Sequence, residues 1–315
     1  MSRNFNCQSL QCLKMKLLIS LIFWILLVST VKAKELPEDW KPFDFSQIIP
    51  IEEVVDLFSS LPKEAHQDSR NRRIFGGQEV VPNSHPYQVA YFIQVNPQRT
   101  SICGGSILNS QAILTAAHCI YRFPRVTVVA GGHNIHRLEP TQQRRSSEFE
   151  NFRVHPGWSG LTFSDDIGIV LLPTALEFNT YVVPARLPIG LENETFAGEL
   201  SRVVGWGITG LESGTNPVLH AAYNTVMSNE DCIAIWGEEL VLPTIVCTST
   251  NRQGACSSDS GGSLTVPRPG DTRPVQIGIV NWGSICGSSR PVGFARITEY
   301  LEWISDNDHF DVLGH

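Results

Sequence analysis

Short apolar runs recur along this chain from residue 74 onward, separated by Gly, Pro and Asn. The runs are HPYQVAYFIQV, GGSILN, AILTAA, RVTVVAG, IGIVLL, SRVVGWG and QIGIVNWG. Their length and spacing predict an all-β domain of antiparallel barrels or a sandwich. Within this region only Ile297–Asp306 has apolar residues at helical spacing, so we expect one helix in it, near the C-terminus. Because strands and helices do not alternate, the sequence argues against an α/β fold.

The N-terminal segment resembles a secretory signal peptide. Lys14 and Lys16 precede an apolar run, LLISLIFWILLV, and the sequence VKA ends at Ala33. The run is shorter than the stretch of about 20 residues that crosses a bilayer, so a membrane anchor is the weaker interpretation. We therefore expect residues 1–33 to be removed and the protein to be secreted, with no stable membrane anchor.

The cysteine count also fits secretion. Of the eight cysteines, Cys7 and Cys12 fall in the signal peptide, which leaves six. An even number predicts three disulfides, and no pair has the close spacing of a zinc site. The six are Cys103, Cys119, Cys232, Cys247, Cys256 and Cys286. Spacing alone leaves their pairing open. Asn193, in the tripeptide Asn-Glu-Thr, is a predicted N-glycosylation site on a surface loop.

Composition limits the possible partners. The net charge is −7, and Lys and Arg form no sustained run, which argues against nucleic acid as a partner. We interpret the basic pair near the middle of the chain, Arg144–Arg145, as a solvated loop. With 42% apolar and 17% charged residues, the chain has enough apolar side chains for a sizeable core.

Residues 34–73 separate the signal peptide from the first β-rich sequence. This segment has no cysteine and has Pro and charged residues at its ends, although IEEVVDLFSSL in its middle fits a short amphipathic helix. The basic pair Arg72–Arg73 is followed at once by IFGG, as at a processing site. We therefore predict a propeptide. The alternative is a loop before a domain.

Three motifs follow one another along the chain: LTAAHC with His118, DDIGIVLL with Asp166 and CSSDSGGS with Ser260. Together with IFGG, CGGSIL, VVGWG and YLEWI, they make residues 74 to about 308 resemble the trypsin/chymotrypsin-like serine proteases. The family's catalytic residues occur in the same order, His, Asp and Ser. The implied function is a serine endopeptidase that needs no cofactor and acts on proteins or peptides.

The resemblance also implies a fold. It predicts two six-stranded antiparallel β-barrels and a C-terminal helix within a protease domain at 74–309, with halves at roughly 74–188 and 189–309. We expect the protein to be a monomer, and we expect protein inhibitors to bind it. The implied disulfides are Cys103–Cys119, Cys232–Cys247 and Cys256–Cys286.

The resemblance assigns roles to the triad. A serine hydroxyl is too weak an acid to attack an amide unaided. In the family's mechanism, His118 takes the proton of Ser260 and returns it to the leaving amine, while Asp166 fixes the tautomer of the imidazole. In the family, the catalytic aspartate directly precedes Ile or Leu. Asp166 therefore matches that position and Asp165 does not.

Zymogen activation is implied as well. In the family, the new α-amino group, here that of Ile74, pairs with the aspartate before the nucleophile, here Asp259. This pairing orders the oxyanion loop, because a buried carboxylate without a partner is costly. Arg73 before the cut implies a trypsin-like activating protease.

The implied substrate pocket differs from that of trypsin. Its base is Gly254, so no acid is present for Lys or Arg. Its walls are Gly283 and, if RPVGFAR is aligned without a gap, Val292, which would shorten the pocket and favour small or medium apolar side chains. A chymotrypsin-like preference stays open. Asn281 and Trp282 belong to the same pocket.

The family's calcium loop corresponds to GGHNIHRLEPTQQ. Gly132 and Gln142 stand where acidic ligands are expected. We therefore predict no metal site.

Three substitutions lie close to the expected chemistry. Ser258 replaces the glycine whose N–H is one of two oxyanion donors, the other being that of Ser260. Asn281 replaces a serine that contacts the catalytic aspartate and the substrate backbone, and Ser263 replaces a proline. They leave an alternative open, in which the protein is a weakened or inactive homologue that acts as a binding or regulatory protein.

Overall fold

The described residues, 48–49, 77–96, 99–207, 216–250, 254–283 and 288–308, form a mainly β structure in the computed structural model. In chain order the strands are β1 (Ile48–Ile49), β2 (Gln78–Glu79), β3 (Gln88–Asn96), β4 (Arg99–Ile107), β5 (Ala112–Thr115), β6 (Arg125–Ala130), β7 (Gln143–Glu148), β8 (Phe152–Val154), β9 (Gly168–Leu171), β10 (Leu200–Gly205), β11 (His220–Thr225), β12 (Ile245–Thr248), β13 (Ser263–Val266), β14 (Val275–Trp282) and β15 (Val292–Arg296).

The strands form two sheets. One has the order β7-β6-β3-β4-β5-β9-β8, with β1 beside β4, and the other has the order β12-β15-β14-β13-β10-β11-β2. The all-β prediction with two antiparallel barrels is confirmed. Among the described residues the sheets contain eight and seven strands rather than six each, because β2 and β8 add a short strand at one end of each sheet and β1 pairs beside β4.

Strand β3 lies between two hydrophobic cores. The side chains of Val89 and Tyr91 pack in the core of the first sheet, whereas Ala90 and Phe92 pack in a cluster with Trp206. A strand buried on both faces needs apolar residues at successive positions, which explains the unbroken run VAYFI. Full burial of each large side chain contributes about 1.5–3 kcal/mol, so β3 stabilises the contact between the sheets.

The described part of the chain contains the predicted C-terminal helix and one more. Helix α1 (Asn229–Trp236) was not expected, and α2 (Leu301–Asn307) follows a 3-10 turn at Ile297–Tyr300. Helix α1 buries only Cys232 and so lacks an apolar period. Its sequence signal is the cap, since the Ser228 hydroxyl accepts the N–H of the third helical residue. None of the helices in the described part of the chain is long and apolar enough to span a bilayer.

The basic pair Arg144–Arg145 is not a solvated loop. Both residues belong to β7, and the Arg144 side chain is buried. Its guanidinium donates to Oε1 of Gln142 at 3.0 Å. The Gln142 amide in turn donates to the backbone carbonyls of Asn134 and Arg137, each at 3.1 Å. Burial is tolerated because the charged group has hydrogen-bond partners.

The two ends of the domain cross over between the sheets. Strand β2 pairs with β11 in the second sheet, although the strands that follow it build the first. Leu301 and Ile304 of α2 pack in the core of the first sheet, although the strands that precede them build the second. These two crossings tie the sheets to each other.

Candidate active site

His118 and Asp166 lie together because their flanking strands pair. His118 belongs to a 3-10 turn, Ala117–Cys119, that follows β5, and Asp166 stands shortly before β9. Strands β5 and β9 are antiparallel neighbours, with Thr115 opposite Gly168. This pairing places the two side chains at the same end of the sheet.

The Asp166 carboxylate holds His118 by two hydrogen bonds. The ring Nδ1 donates to Oδ2 at 2.6 Å, and the backbone N–H of His118 donates to Oδ1 at 2.9 Å. Both residues are buried. An ionised carboxylate can only accept, so the proton of the neutral imidazole is on Nδ1 and Nε2 is the acceptor. This is the tautomer that a general base needs.

Ser260 is attached to the first sheet, although it shortly precedes β13 of the second. Its carbonyl accepts the N–H of Gly104 in β4 at 2.7 Å. The adjacent residue of β4, Cys103, forms a disulfide with Cys119, next to His118. Two neighbouring residues of β4 therefore fix both the serine segment and the histidine turn.

The glycine after Ser260 has no room for a side chain. Gly261 has a φ of 78°, and a Cβ there would lie 2.3 Å from Thr115 Oγ1 and 2.6 Å from Gly104 O. This glycine allows the serine segment to approach β4 and β5 closely. Its place in the motif therefore has a packing cause.

Asp259 is buried beside two glycines of the VVGWG motif. Its carboxylate accepts the N–H of Gly207 at 2.8 Å and the N–H of Cys256 at 2.9 Å. A Cβ at Gly205 would lie 2.0 Å from Oδ1, and one at Gly207 would lie 2.4 Å from Oδ2. The two glycines make room for the carboxylate, which the sequence pattern alone does not reveal. Ile74, its expected partner, lies outside the described residues.

The chain that carries this buried His–Asp pair matches a known protein family. The family model described as Trypsin matches residues 74–304. The chain belongs to the trypsin family. It is therefore a serine endopeptidase with a chymotrypsin-like fold.

Individual relatives agree with this assignment. The chain is 36% identical over 244 residues to a chymotrypsin from Phaedon cochleariae, covering 75% of this chain and 83% of the relative. It is 34% identical over 235 residues to brachyurin from Leptuca pugilator, covering 73% and 96%. The solved structure of HL collagenase is similar with a TM-score of 0.67 at 29% identity, covering 75% of this chain and 99% of that one.

The backbone conformation at Ser258 explains why the trypsin family has a glycine at this position. Ser258 has a left-handed φ of 72°. It is the third residue of a turn in which the Asp259 N–H donates to Cys256 O at 2.9 Å. A positive φ at this position alone is the geometry of a type II turn, which favours glycine. Ser258 adopts this conformation despite its Cβ, at a cost of roughly 1–2 kcal/mol.

We expect Ser258→Gly to raise the free energy of unfolding by about 1 kcal/mol, because it removes this strain, and to increase kcat/KM several-fold, because the oxyanion turn becomes easier to form. Ser257→Gly is the matched control. Ser257 has no positive φ, so glycine there should destabilise the protein by about 0.5–1 kcal/mol. Denaturant unfolding and peptide hydrolysis measure both effects. A Ser258→Gly variant less stable than the wild type would contradict the interpretation.

Val292 lies between the two glycines of the expected pocket. An added Cβ at Gly254 would lie 3.6 Å from Asn224 Nδ2 and 3.8 Å from both Thr250 Cγ2 and Val292 Cγ2. One at Gly283 would lie 3.5 Å from Val292 Cγ2. The Val292 side chain thus approaches both the base and the wall. Among the described residues, these neighbours of the base are uncharged.

Packing explains why Val comes before Gly at the start of β15. A Cβ at Gly293 would lie 2.4 Å from Cε2 of Trp282. Gly293 therefore allows the indole to pack on β15, and Trp282 also makes an edge contact with Trp236, with ring centroids 5.4 Å apart. A reversed order would put a side chain into the Trp282 ring.

Asn281 contacts the loop that covers His118. Its side-chain amide donates to the carbonyl of Phe163 at 3.0 Å. The Phe163 ring lies edge-on to His118 at 6.1 Å between centroids, and Trp158 lies 6.4 Å from the same imidazole. Sequence reasoning missed both aromatic residues, because they stand in a loop without a motif. Together they shield one side of the histidine.

Asp165 points to a different partner from its neighbour Asp166. Its Oδ1 accepts the hydroxyl of Tyr300 at 3.0 Å. Burial raises the pKa of Tyr300 well above its usual value, so the phenol stays protonated and donates. This arrangement separates the two adjacent acids, as the family's pattern implied.

The remaining predicted residues fall into three groups. The Cys232–Cys247 disulfide joins α1 to β12, and Cys256 is disulfide-bonded while Cys286 lies outside the described residues. Asn193 is exposed.

Within the described chain, the one group of three potential metal ligands is His118 with Cys103 and Cys119, whose sulfurs form a disulfide. Ser263 donates its hydroxyl to Gln88 Oε1 at 2.7 Å, a contact between the sheets.

Proposed function

We propose that this chain is a secreted endopeptidase made as a zymogen. Residues 1–33 are its signal peptide, 34–73 its propeptide and 74–309 its protease domain. A trypsin-like protease activates it by cleaving Arg73–Ile74, after which the Ile74 amine pairs with Asp259. It acts as a monomer on proteins or peptides, is open to protein inhibitors and carries a glycan at Asn193.

The two hydrogen bonds between His118 and Asp166 support this function most strongly. His118 Nε2 takes the Oγ proton while Ser260 attacks the scissile carbonyl, and the backbone N–H groups of Ser258 and Ser260 stabilise the oxyanion. The imidazolium then gives its proton to the leaving amine as the C–N bond breaks. Water, activated by the same histidine, hydrolyses the acyl-enzyme and restores the serine.

Fluorophosphonate labelling tests the proposal. The purified protein is cut after Arg73 and treated with a fluorophosphonate, with Ser260→Ala as the control. We expect labelling of Ser260 only after the cut. No labelling of the correctly cut protein would overturn the function and favour the alternative, an inactive homologue that binds a protein through the same cleft.

We propose cleavage after small or medium apolar residues, because Val292 narrows a pocket whose base carries no charge. We expect Val292→Gly to raise the ratio of kcat/KM for Phe over Ala before the scissile bond by about 10-fold or more, as for the loss of one or more methylene groups from an apolar pocket. Hydrolysis of matched peptides with Ala, Leu, Phe or Arg at that position measures the ratio.

Val292→Ile is the matched variant, because it adds one methylene at the same place. It should move the preference in the opposite direction, toward Ala. Equal ratios in both variants would contradict the assignment of Val292 to the pocket. A wild-type preference for Arg would contradict the uncharged base at Gly254.

A further inference from the structure

Strand β1 adds an unexpected element to the first sheet. Ile48–Ile49 pairs in parallel with Thr100–Ser101 of β4. These isoleucines precede Arg73, in the segment that we propose as a propeptide. Pro50 follows them. A residue before proline is confined to extended conformations, and proline has no N–H for a ladder, so the strand forms here and ends here.

The contact with Ser260 marks one edge of β4. The N–H of Gly104 donates to Ser260 O at 2.7 Å, whereas the N–H of Ile107 donates to Tyr87 O at 3.0 Å on the side of β3. N–H groups alternate between the two edges of a strand, and the register of β3 and β4 is regular over this stretch. The even-numbered residues of β4 therefore direct their N–H groups away from β3.

Strand β1 occupies this same edge. Thr100–Ser101 already pairs with β3 on the other side, so β1 lies opposite β3. Ile102, the even-numbered residue between β1 and Gly104, directs its N–H and C=O to the same edge. Along one edge, β4 thus has the propeptide strand, then Ile102 and then Ser260.

A bound substrate would extend along this edge of β4. The pocket for the residue before the scissile bond, around Gly254 and Val292, belongs to the second sheet. The chain beyond the scissile bond must then continue on the other side of Ser260, toward the first sheet. There β4 offers the backbone groups of Ile102, which suit an added strand.

We propose that the propeptide strand Ile48–Ile49 occupies this edge of β4 until activation and so keeps an extended substrate from it. The last step rests on the proposed function. While the chain is uncut, tethering keeps the strand at a high effective concentration. After the cut at Arg73, no cysteine between residues 34 and 73 can retain the segment. The two-residue ladder then dissociates and the edge opens to substrate.

Hydrogen exchange of the β4 amides tests the docking without any need for activity. The full-length chain carries Ser260→Ala, and the exchange of Thr100 and Ile102 is followed by mass spectrometry with residue-resolving fragmentation. The test variant has Ile48→Pro and Ile49→Pro, which removes both N–H groups, including the one that faces β4. The control has Ile48→Val and Ile49→Val, which keeps them. We expect exchange at least about 10-fold faster in the proline variant and in the cut chain after gel filtration.

Equal exchange in the proline and valine variants would overturn the docking, and unchanged exchange after the cut would overturn the release. Because this readout needs no turnover, docking without fluorophosphonate labelling of the Ser260 enzyme would reject the protease function alone. Labelling without differential exchange would reject the docking alone.

A synthetic peptide of residues 44–54 tests competition on the cut wild-type enzyme. We expect it to raise KM at least about 3-fold for peptides that continue beyond the scissile bond, and to leave short chromogenic amides unaffected. The same peptide with both isoleucines changed to Pro should not inhibit. Equal inhibition of both substrate classes, or none up to millimolar peptide, would overturn the competition.

Discussion

Asp166→Asn is expected to lower kcat of the activated enzyme by about 10,000-fold, the loss caused by this change in the reference triad of the family. The Asn oxygen can still accept the backbone N–H of His118, so the fold should be retained. Its amide nitrogen, however, would face Nδ1 and donate to it. The imidazole proton would then be on Nε2, which could no longer accept the proton of Ser260. Steady-state hydrolysis and thermal unfolding measure the two effects.

Asp165→Asn is the matched control for this prediction. Asp165 is adjacent and also acidic, but its Oδ1 accepts the Tyr300 hydroxyl at 3.0 Å. An amide oxygen can accept the same bond, so kcat should stay within a few-fold of the wild type. If the two variants lost activity equally, the interpretation that only Asp166 orients His118 would be wrong.

The sequence allowed the general fold and the strand-forming segments to be predicted, because barrel strands are short and bounded by turn residues. The triad and its neighbours could also be predicted, because they stand in local motifs, whereas Trp158 and Phe163 were missed because their loop has none. What the sequence could not reveal was why some positions must be glycine. Gly205 is near Asp259 only after β10 and the serine segment have folded together. Such contacts join residues that are far apart in the chain.

Local reasoning failed where tertiary contacts decide the outcome. Arg144 was interpreted as solvated because charged residues are usually exposed, but its hydrogen bond to Gln142 permits burial. Helix α1 was missed because a short helix with one buried residue has no apolar period. Strand β1 lies in a segment without alternation, and its two residues gain a ladder only from β4.

The conformation of Ser258 bears on the alternative function that the sequence left open. From the sequence, the replacement of a family glycine by Ser258 left open the alternative of a weakened or inactive homologue. Its φ of 72° shows that a serine occupies the glycine conformation. The remaining consequence is energetic, a strain of roughly 1–2 kcal/mol. Ser258→Gly measures the effect of this strain on rate and stability.

Gly207→Ala is expected to lower kcat/KM by at least about 100-fold, comparable to the loss of an oxyanion donor. The new Cβ would lie 2.4 Å from Asp259 Oδ2, so the carboxylate would have to move. It would lose the N–H groups of Gly207 and Cys256 that now donate to it. Since Asp259 directly precedes Ser260, displacement of its carboxylate would disturb the turn that contains both proposed oxyanion donors.

Labelling of the new N-terminus separates this effect from a failure of cleavage. After the cut at Arg73, the Ile74 amine should react slowly with acetic anhydride in the wild type and faster in Gly207→Ala, because Asp259 can no longer hold it. Gly160→Ala is the control, since the nearest atom to an added Cβ there is 3.9 Å away, and it should cut, label and hydrolyse peptides like the wild type. If Gly207→Ala cut normally and kept full activity, Asp259 would not need its present position, and its proposed pairing with Ile74 would be wrong.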